Sequence, residues 1–204
     1  EYNGIIFQGC SSLDFLKENQ VLSPLEKLYR RYTGESLAVK LSDFADVSER
    51  IQYLVTQVEE ITKIDNFGAY LTAMLEIDAF FMNEDRHTNN IAVIYNEKTQ
   101  KYELSPFFDQ GLCMFADINQ DYPIDQSLEY CLEKIEAKPF SSDFDIQLDA
   151  AEELYGVQIG FQFTFKDIQI YLQKNSENYP REVIRRVEQL LRGQMRKYGY
   201  LMKK

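Results

Sequence analysis

Apolar residues recur along the chain at two spacings, and each spacing predicts a different element. Leu25, Leu28, Tyr29 and Tyr32 stand three or four apart, which predicts a short helix over residues 24–32 with Ser23 and Pro24 as cap and first-turn pair. Ile51, Leu54, Val55, Val58, Ile61 and Thr62 predict a longer amphipathic helix, ended where Asp65 and Asn66 break and recap the chain. Residues 67–82 are apolar almost all round, through Tyr70, Leu71, Met74, Leu75, Ile77, Phe80 and Phe81. A helix with no polar face belongs at the centre of a fold.

The pattern then changes period. After a polar stretch, residues 83–90, come Ile91-Ala92-Val93-Ile94-Tyr95, a turn over residues 96–100 and Tyr102-Glu103-Leu104, which together predict a β-hairpin. Helical spacing returns in Phe144, Leu148, Ala151 and Leu154, with Ser141 or Ser142 as cap and Gly156 as terminator. Further helices are predicted over residues 165–174 and from Pro180 onward, the latter with Ile184, Val187, Leu190, Leu191, Met195, Tyr198 and Leu201 on one face. Near the start, Ile5-Ile6-Phe7 suggests a strand entering from upstream. No repeat, low-complexity tract or Gly/Ser linker divides the chain, so the expected fold is one mainly α domain with a small β-hairpin.

Composition narrows the chemistry. The 204 residues are 45% hydrophobic and 27% charged with nine Gly and five Pro, which is the make-up of a folded chain. A net charge of -11 repels a phosphate backbone, so no nucleic-acid partner is expected. Residues 181–204 run the other way, with eight Lys/Arg against two Glu. They could dock a nucleic acid or an acidic partner, but packing a basic helix on an acidic body explains the pattern at less cost. Cys10, Cys113 and Cys131 are odd in number and widely spaced, as expected of reduced thiols in the cytoplasm. Glu76 and Asp78 interrupt the most apolar stretch, so no membrane span is expected. The single histidine, His87, removes every metal site that needs several imidazoles.

Two polar clusters remain, separated only by the hairpin: Asn83-Glu84-Asp85-Arg86-His87-Thr88-Asn89-Asn90 and Phe108-Asp109-Gln110-Gly111. A strand pair that returns to its starting end brings Asp85, Asn90 and Asp109 together. Asn90 and Asp109 offer the hard oxygens that Mg²⁺ takes, and Asp85 can orient an attacking hydroxyl and receive its proton. Each residue also has a plainer reading. Asp85 alone could cap a turn, His87 could act as a base or shape the loop, and Arg86 could approach a phosphate or pair with Glu84 or Asp78. Asp78, seven residues before Asp85 in an apolar helix, needs a partner and is expected to brace the loop. Cys113 is expected to be an ordinary buried thiol.

The pattern D-x-H-x-x-N, a hairpin, then D-x-G resembles the catalytic and metal-binding loops of the protein-kinase-like superfamily, and most closely those of HipA-like serine/threonine kinases. The runs F-M-N-E-D-R-H-T-N-N-I-A-V-I and L-S-P-F-F-D-Q-G carry the likeness, with A-K-P-F at residues 137–140 and the opening G-I-I to D-F-L stretch adding less specific support. The resemblance implies the helical C-terminal lobe of a kinase-like fold, with a catalytic loop at 83–90 and a metal-binding loop at 108–111. It further implies Asp85 as the catalytic aspartate, with His87 beside it, Asn90 and Asp109 as metal ligands, and Arg86 near the nucleotide. ATP and Mg²⁺ as cofactors, a protein Ser/Thr substrate and an antitoxin-like partner follow from the same likeness. The chain departs from a complete kinase in having no Gly-rich loop followed by a strand lysine. The nucleotide-gripping lobe is therefore expected from an upstream segment or a partner. A non-catalytic kinase-like interaction module and a lipid or small-molecule kinase are the competing readings.

Overall fold

A computed structural model describes residues 3–4 and 12–203 of the chain, so the strand expected around Ile5 lies outside the described residues. Among the described residues the chain is mainly helical with one three-stranded antiparallel sheet. Strand β1 (Gln20–Pro24) leads directly into α1 (Leu25–Thr33), followed by α2 (Leu37–Ser42), α3 (Val47–Thr62) and α4 (Phe67–Phe81). The hairpin β2 (Ala92–Asn96) and β3 (Lys101–Leu104) comes next. Four helices close the chain, α5 (Leu128–Lys134), α6 (Phe144–Tyr155), α7 (Phe165–Lys174) and α8 (Arg181–Lys197), with a 3-10 turn at Gly199–Leu201.

The hairpin forms as expected, and Asn96 shapes its turn by accepting hydrogen bonds from the amides of Lys98 and Thr99. It is not alone, however. β1 lies along β2, with Val21 opposite Tyr95 and Pro24 opposite Ala92, giving the order β1-β2-β3. Pro24 is therefore the last strand residue and not the first helical one, and an edge strand tolerates its missing N–H. The first two amides of α1 are satisfied from outside the helix: Leu25 donates to the Ile91 carbonyl at 2.8 Å and Glu26 to that of Thr88 at 3.2 Å. That junction ties α1 to the 83–90 loop.

α4 occupies the centre, as its all-round apolarity demands. Phe67, Leu71, Met74, Leu75, Ala79 and Phe80 are almost wholly buried, and the core they join runs from Leu25 to Leu201. The helix stops at Met82, which adopts a left-handed conformation (φ 54°), and the chain turns there into the 83–90 loop. α6 packs against both α3 and α4, and its cap is Asp143, not Ser141 or Ser142, accepting from the amides of Asp145 and Ile146. The basic segment is also resolved by packing. Arg186 of α8 is buried and donates to the carbonyls of Tyr122, Pro123 and Gln126, while Lys197 pairs with Asp145 at 2.6 Å. No helix among the described residues is long and apolar enough to cross a membrane.

Candidate functional site

The 83–90 loop is held by a clasp built from α4. Asp78, one turn from the helix end, accepts from Arg86 Nε at 2.6 Å and Nη2 at 2.9 Å, and from Asn83 Nδ2 at 2.8 Å. Both members of the Asp78–Arg86 pair are buried, with side-chain exposures of 1% and 0%. Burial holds the Asp78 carboxyl above its ordinary value, against the opposing pull of Arg86 and Asn83. Burial likewise works against the Arg86 charge, but the Asp78 contacts outweigh it and raise its pKa. A two-point fork this short, with a third donor on the carboxylate, is an ionised pair.

The same guanidinium reaches further. Its Nη1 donates to the backbone carbonyl of Asn90 at 2.7 Å and to that of Phe108 at 3.0 Å. One buried nitrogen thus bonds the last residue of the first polar cluster and the residue just before Asp109. Two adjacent links strengthen the junction: Glu84 N donates to Leu112 O at 3.4 Å and Met114 N to Phe81 O at 2.9 Å. The sequence left open whether Arg86 meets a phosphate or a carboxylate. Its assignment to the nucleotide is corrected here, because a side chain with no exposure and its donors on Asp78, Asn90 and Phe108 has no face to offer a ligand. Glu84 is not its partner either, accepting instead from the Tyr122 hydroxyl.

Within the loop, Asp85 remains accessible, with 28% of its side chain exposed. Its carbonyl accepts from Asn90 Nδ2 at 2.9 Å and from the His87 amide at 2.8 Å, and its Oδ2 receives a longer contact from Asn90 Nδ2 at 3.3 Å. The Asn90 amide nitrogen therefore faces Asp85. Its Oδ1 takes no hydrogen bond from the described residues and is left for an outside donor or cation. His87 Nε2 lies 3.7 Å from Asp85 Oδ2, beyond hydrogen-bond length, while Nδ1 is buried and has no partner among the described residues. The backbone of His87 does the shaping, donating to Asp85 O and accepting from Asn90 N.

Asp109 is exposed and sits at φ 54°, a left-handed conformation that Asp tolerates better than most residues. Met114 and Phe115, five and six residues on, also have positive φ, at 56° and 61°. Such conformations in bulky residues cost about 1–3 kcal/mol each and persist only where the surroundings impose them. Among the described residues neither the Asp109 carboxylate nor Asn90 Oδ1 takes a hydrogen bond, and both are hard oxygens of the kind Mg²⁺ prefers. Among the described residues no three His, Cys, Asp or Glu side chains gather as a metal cluster.

Two residues at the site escaped the sequence reading. Glu26, in α1, accepts from Thr88 Oγ1 at 3.0 Å, from the Ala38 amide at 3.0 Å and from Arg30 at 3.1 Å. It braces the middle of the loop from sixty-two positions upstream of Thr88. Lys138 places Nζ 3.5 Å from Asp85 Oδ1. The only hint of it was the A-K-P-F run; nothing in a lone lysine signals a carboxylate fifty-three positions away. Lys138 also lines a small cavity of about 160 Å³, with Glu84, Asp121, Tyr122, Lys134 and Glu136. A larger one of about 640 Å³, bordered by α5, α6 and α8, includes no residue of either polar loop, so size alone does not locate the chemistry.

Compared with known proteins, the chain matches no family model, no curated protein and no solved structure.

Proposed function

We propose that the chain is the catalytic-loop and metal-binding lobe of a HipA-like kinase, transferring the γ-phosphoryl group of ATP to a serine or threonine hydroxyl of a protein. The observation that carries this reading is the Arg86 clasp, in which one buried guanidinium bonds the carbonyls of Asn90 and Phe108. Phosphoryl transfer asks the protein chiefly for position and charge, and a clasp that fixes two ligand-bearing loops against one core helix supports that use.

In this reading Asn90 Oδ1 and the Asp109 carboxylate would hold Mg²⁺, which when bound supplies charge neutralisation at the phosphates. Asp85 orients the acceptor hydroxyl and takes its proton; its partial exposure leaves it open to a substrate, and Asn90 fixes its backbone. His87 flanks Asp85 and shapes the turn, with the proton chemistry left to the aspartate. The lobe that covers the nucleotide comes from another segment or a partner chain.

The test is phosphate incorporation by the complete protein with ATP and Mg²⁺, offered protein, lipid and small-molecule acceptors in separate arms. Labelling of a protein Ser or Thr that Asp85→Asn abolishes supports the proposal. Labelling confined to a lipid or small molecule moves the acceptor class, and no transfer to any acceptor favours a non-catalytic interaction module.

A further inference from the structure

We propose that Lys138 is a catalytic group of this site, its ammonium contacting the phosphoryl group in transit while Asp85 receives the acceptor's proton. This rests on the phosphoryl-transfer reading above and adds a residue to it. Lys138 belongs to the loop between α5 and α6, remote in sequence from both polar clusters, yet its Nζ lies 3.5 Å from Asp85 Oδ1. Its side chain is 50% exposed, so the ammonium meets the carboxylate at the surface and has donors left over.

An exposed ion pair of this kind contributes little to stability. The backbone that delivers it is nevertheless tightly fixed. Gln147, itself buried, donates from Nε2 to the Lys138 carbonyl at 3.2 Å and accepts from the Phe140 amide at 3.4 Å. Arg50 of α3 donates to the Phe140 carbonyl at 2.6 Å, and Ala137 N donates to Ser142 O at 2.8 Å. Ala137 and Phe140, on either side, are core residues. A lysine held on a rigid support beside a reactive carboxylate is a preorganised cation, and a transferring phosphoryl group needs one because its charge spreads over three oxygens. Arg86, the cation within the loop, is buried on Asp78 and cannot serve.

A bond forms between the acceptor oxygen and the γ-phosphorus as the bond from that phosphorus to the β–γ bridging oxygen breaks. The bridging oxygen leaves on ADP with the electron pair, and the hydroxyl proton passes to the Asp85 carboxylate. Lys138 keeps its proton throughout and donates hydrogen bonds to the phosphoryl oxygens.

The experiment compares wild type, Lys138→Ala and Lys138→Arg in the complete protein. Turnover is measured together with calorimetric affinity for ATP and for ADP with aluminium fluoride, a mimic of the group in transit. Lys138→Ala is expected to lower kcat by roughly 100- to 1000-fold, to leave ATP affinity within about threefold, and to lose the preference for the fluoride complex. Lys138→Arg, which keeps the charge, is expected to retain part of both signals. A kcat for Lys138→Ala within about threefold of wild type, or an unchanged affinity for the fluoride complex, overturns the role of the lysine while leaving the kinase reading in place. A wild type that neither transfers phosphate nor binds either nucleotide complex overturns the kinase reading, and this role with it.

Discussion

Asp78 grips Arg86 at both ends of its carboxylate, 2.6 and 2.9 Å away, with neither side chain open to solvent. The pair joins the central helix to both polar loops, so its removal should be felt as lost stability and as lost loop order. Truncating one partner of a buried pair strands the other charge and costs about 3–5 kcal/mol. Asp78→Ala and Arg86→Ala are each expected to show that loss in urea denaturation. Arg86→Lys should not restore it, since one ammonium cannot supply a fork to Asp78 and two carbonyl contacts. Recovery of full stability by the lysine variant would contradict the clasp.

Glu26 gives a pH dependence with a definite sign. Burial pushes its carboxyl up, but the donors around it, Ser36 first and then Ala38 and Thr88, with the charge of Arg30, outweigh this and hold it below its ordinary value of 4.5. A carboxyl depressed by folding stabilises the native state above its unfolded pKa, and that contribution disappears as the pH falls through the folded one. Glu26→Gln should therefore be less stable than wild type by about 1–3 kcal/mol at neutral pH, the usual cost of losing hydrogen bonds to a charged group. The gap should narrow as the pH drops below 4.5. Chemical denaturation across that range measures it, and a gap that widens in acid would contradict the assignment.

The two aspartates of the proposed site should fail differently in the complete protein. Asp85→Asn is expected to keep nucleotide affinity while lowering phosphate transfer by roughly 100- to 10,000-fold, the scale of lost acid–base catalysis. Asp109→Asn should weaken Mg²⁺-dependent nucleotide binding as well as turnover. Equal nucleotide affinities in both variants would remove Asp109 from the metal.

Gly68 tests the packing of the central helix. A Cβ built there would stand 2.5 Å from two ring carbons of Tyr155 in α6. Gly68→Ala is therefore expected to destabilise by about 1–3 kcal/mol through overpacking, despite a helix-propensity gain of about 1 kcal/mol. Thermal melts should show the loss, and a Tyr155→Leu background should relieve most of it.

Cys113 follows the D-x-G segment but is not a reactive thiol. Burial, with the charge of Asp78 adding to it, pushes its pKa up to about 12. It should resist iodoacetamide at pH 8 in the folded protein and react after denaturation, read by mass spectrometry at that residue. Rapid labelling in the native state would show a thiol far more exposed and acidic than this.

Long periodic stretches determined most of the architecture before any coordinates. α3, α4, α6, α7 and α8 could be read because ten or more residues repeat a helical pattern, and the hairpin because two apolar runs flank an Asn-led turn. β1, α2 and α5 span only five, six and seven residues, too few to carry a period, and β1 exists because β2 lies beside it. The chemistry divides in the same way. Asp85, His87, Asn90 and Asp109 stand in recognisable order along the chain, and Asp78 was bound to need a partner because an unpaired carboxylate in an apolar helix is costly. That the partner is Arg86, that Glu26 supports Thr88 and that Lys138 meets Asp85 were decided only by the tertiary structure. Periodicity records which face of an element is buried, but contacts between distant polar side chains depend on how the elements dock, and that is set by the whole core at once.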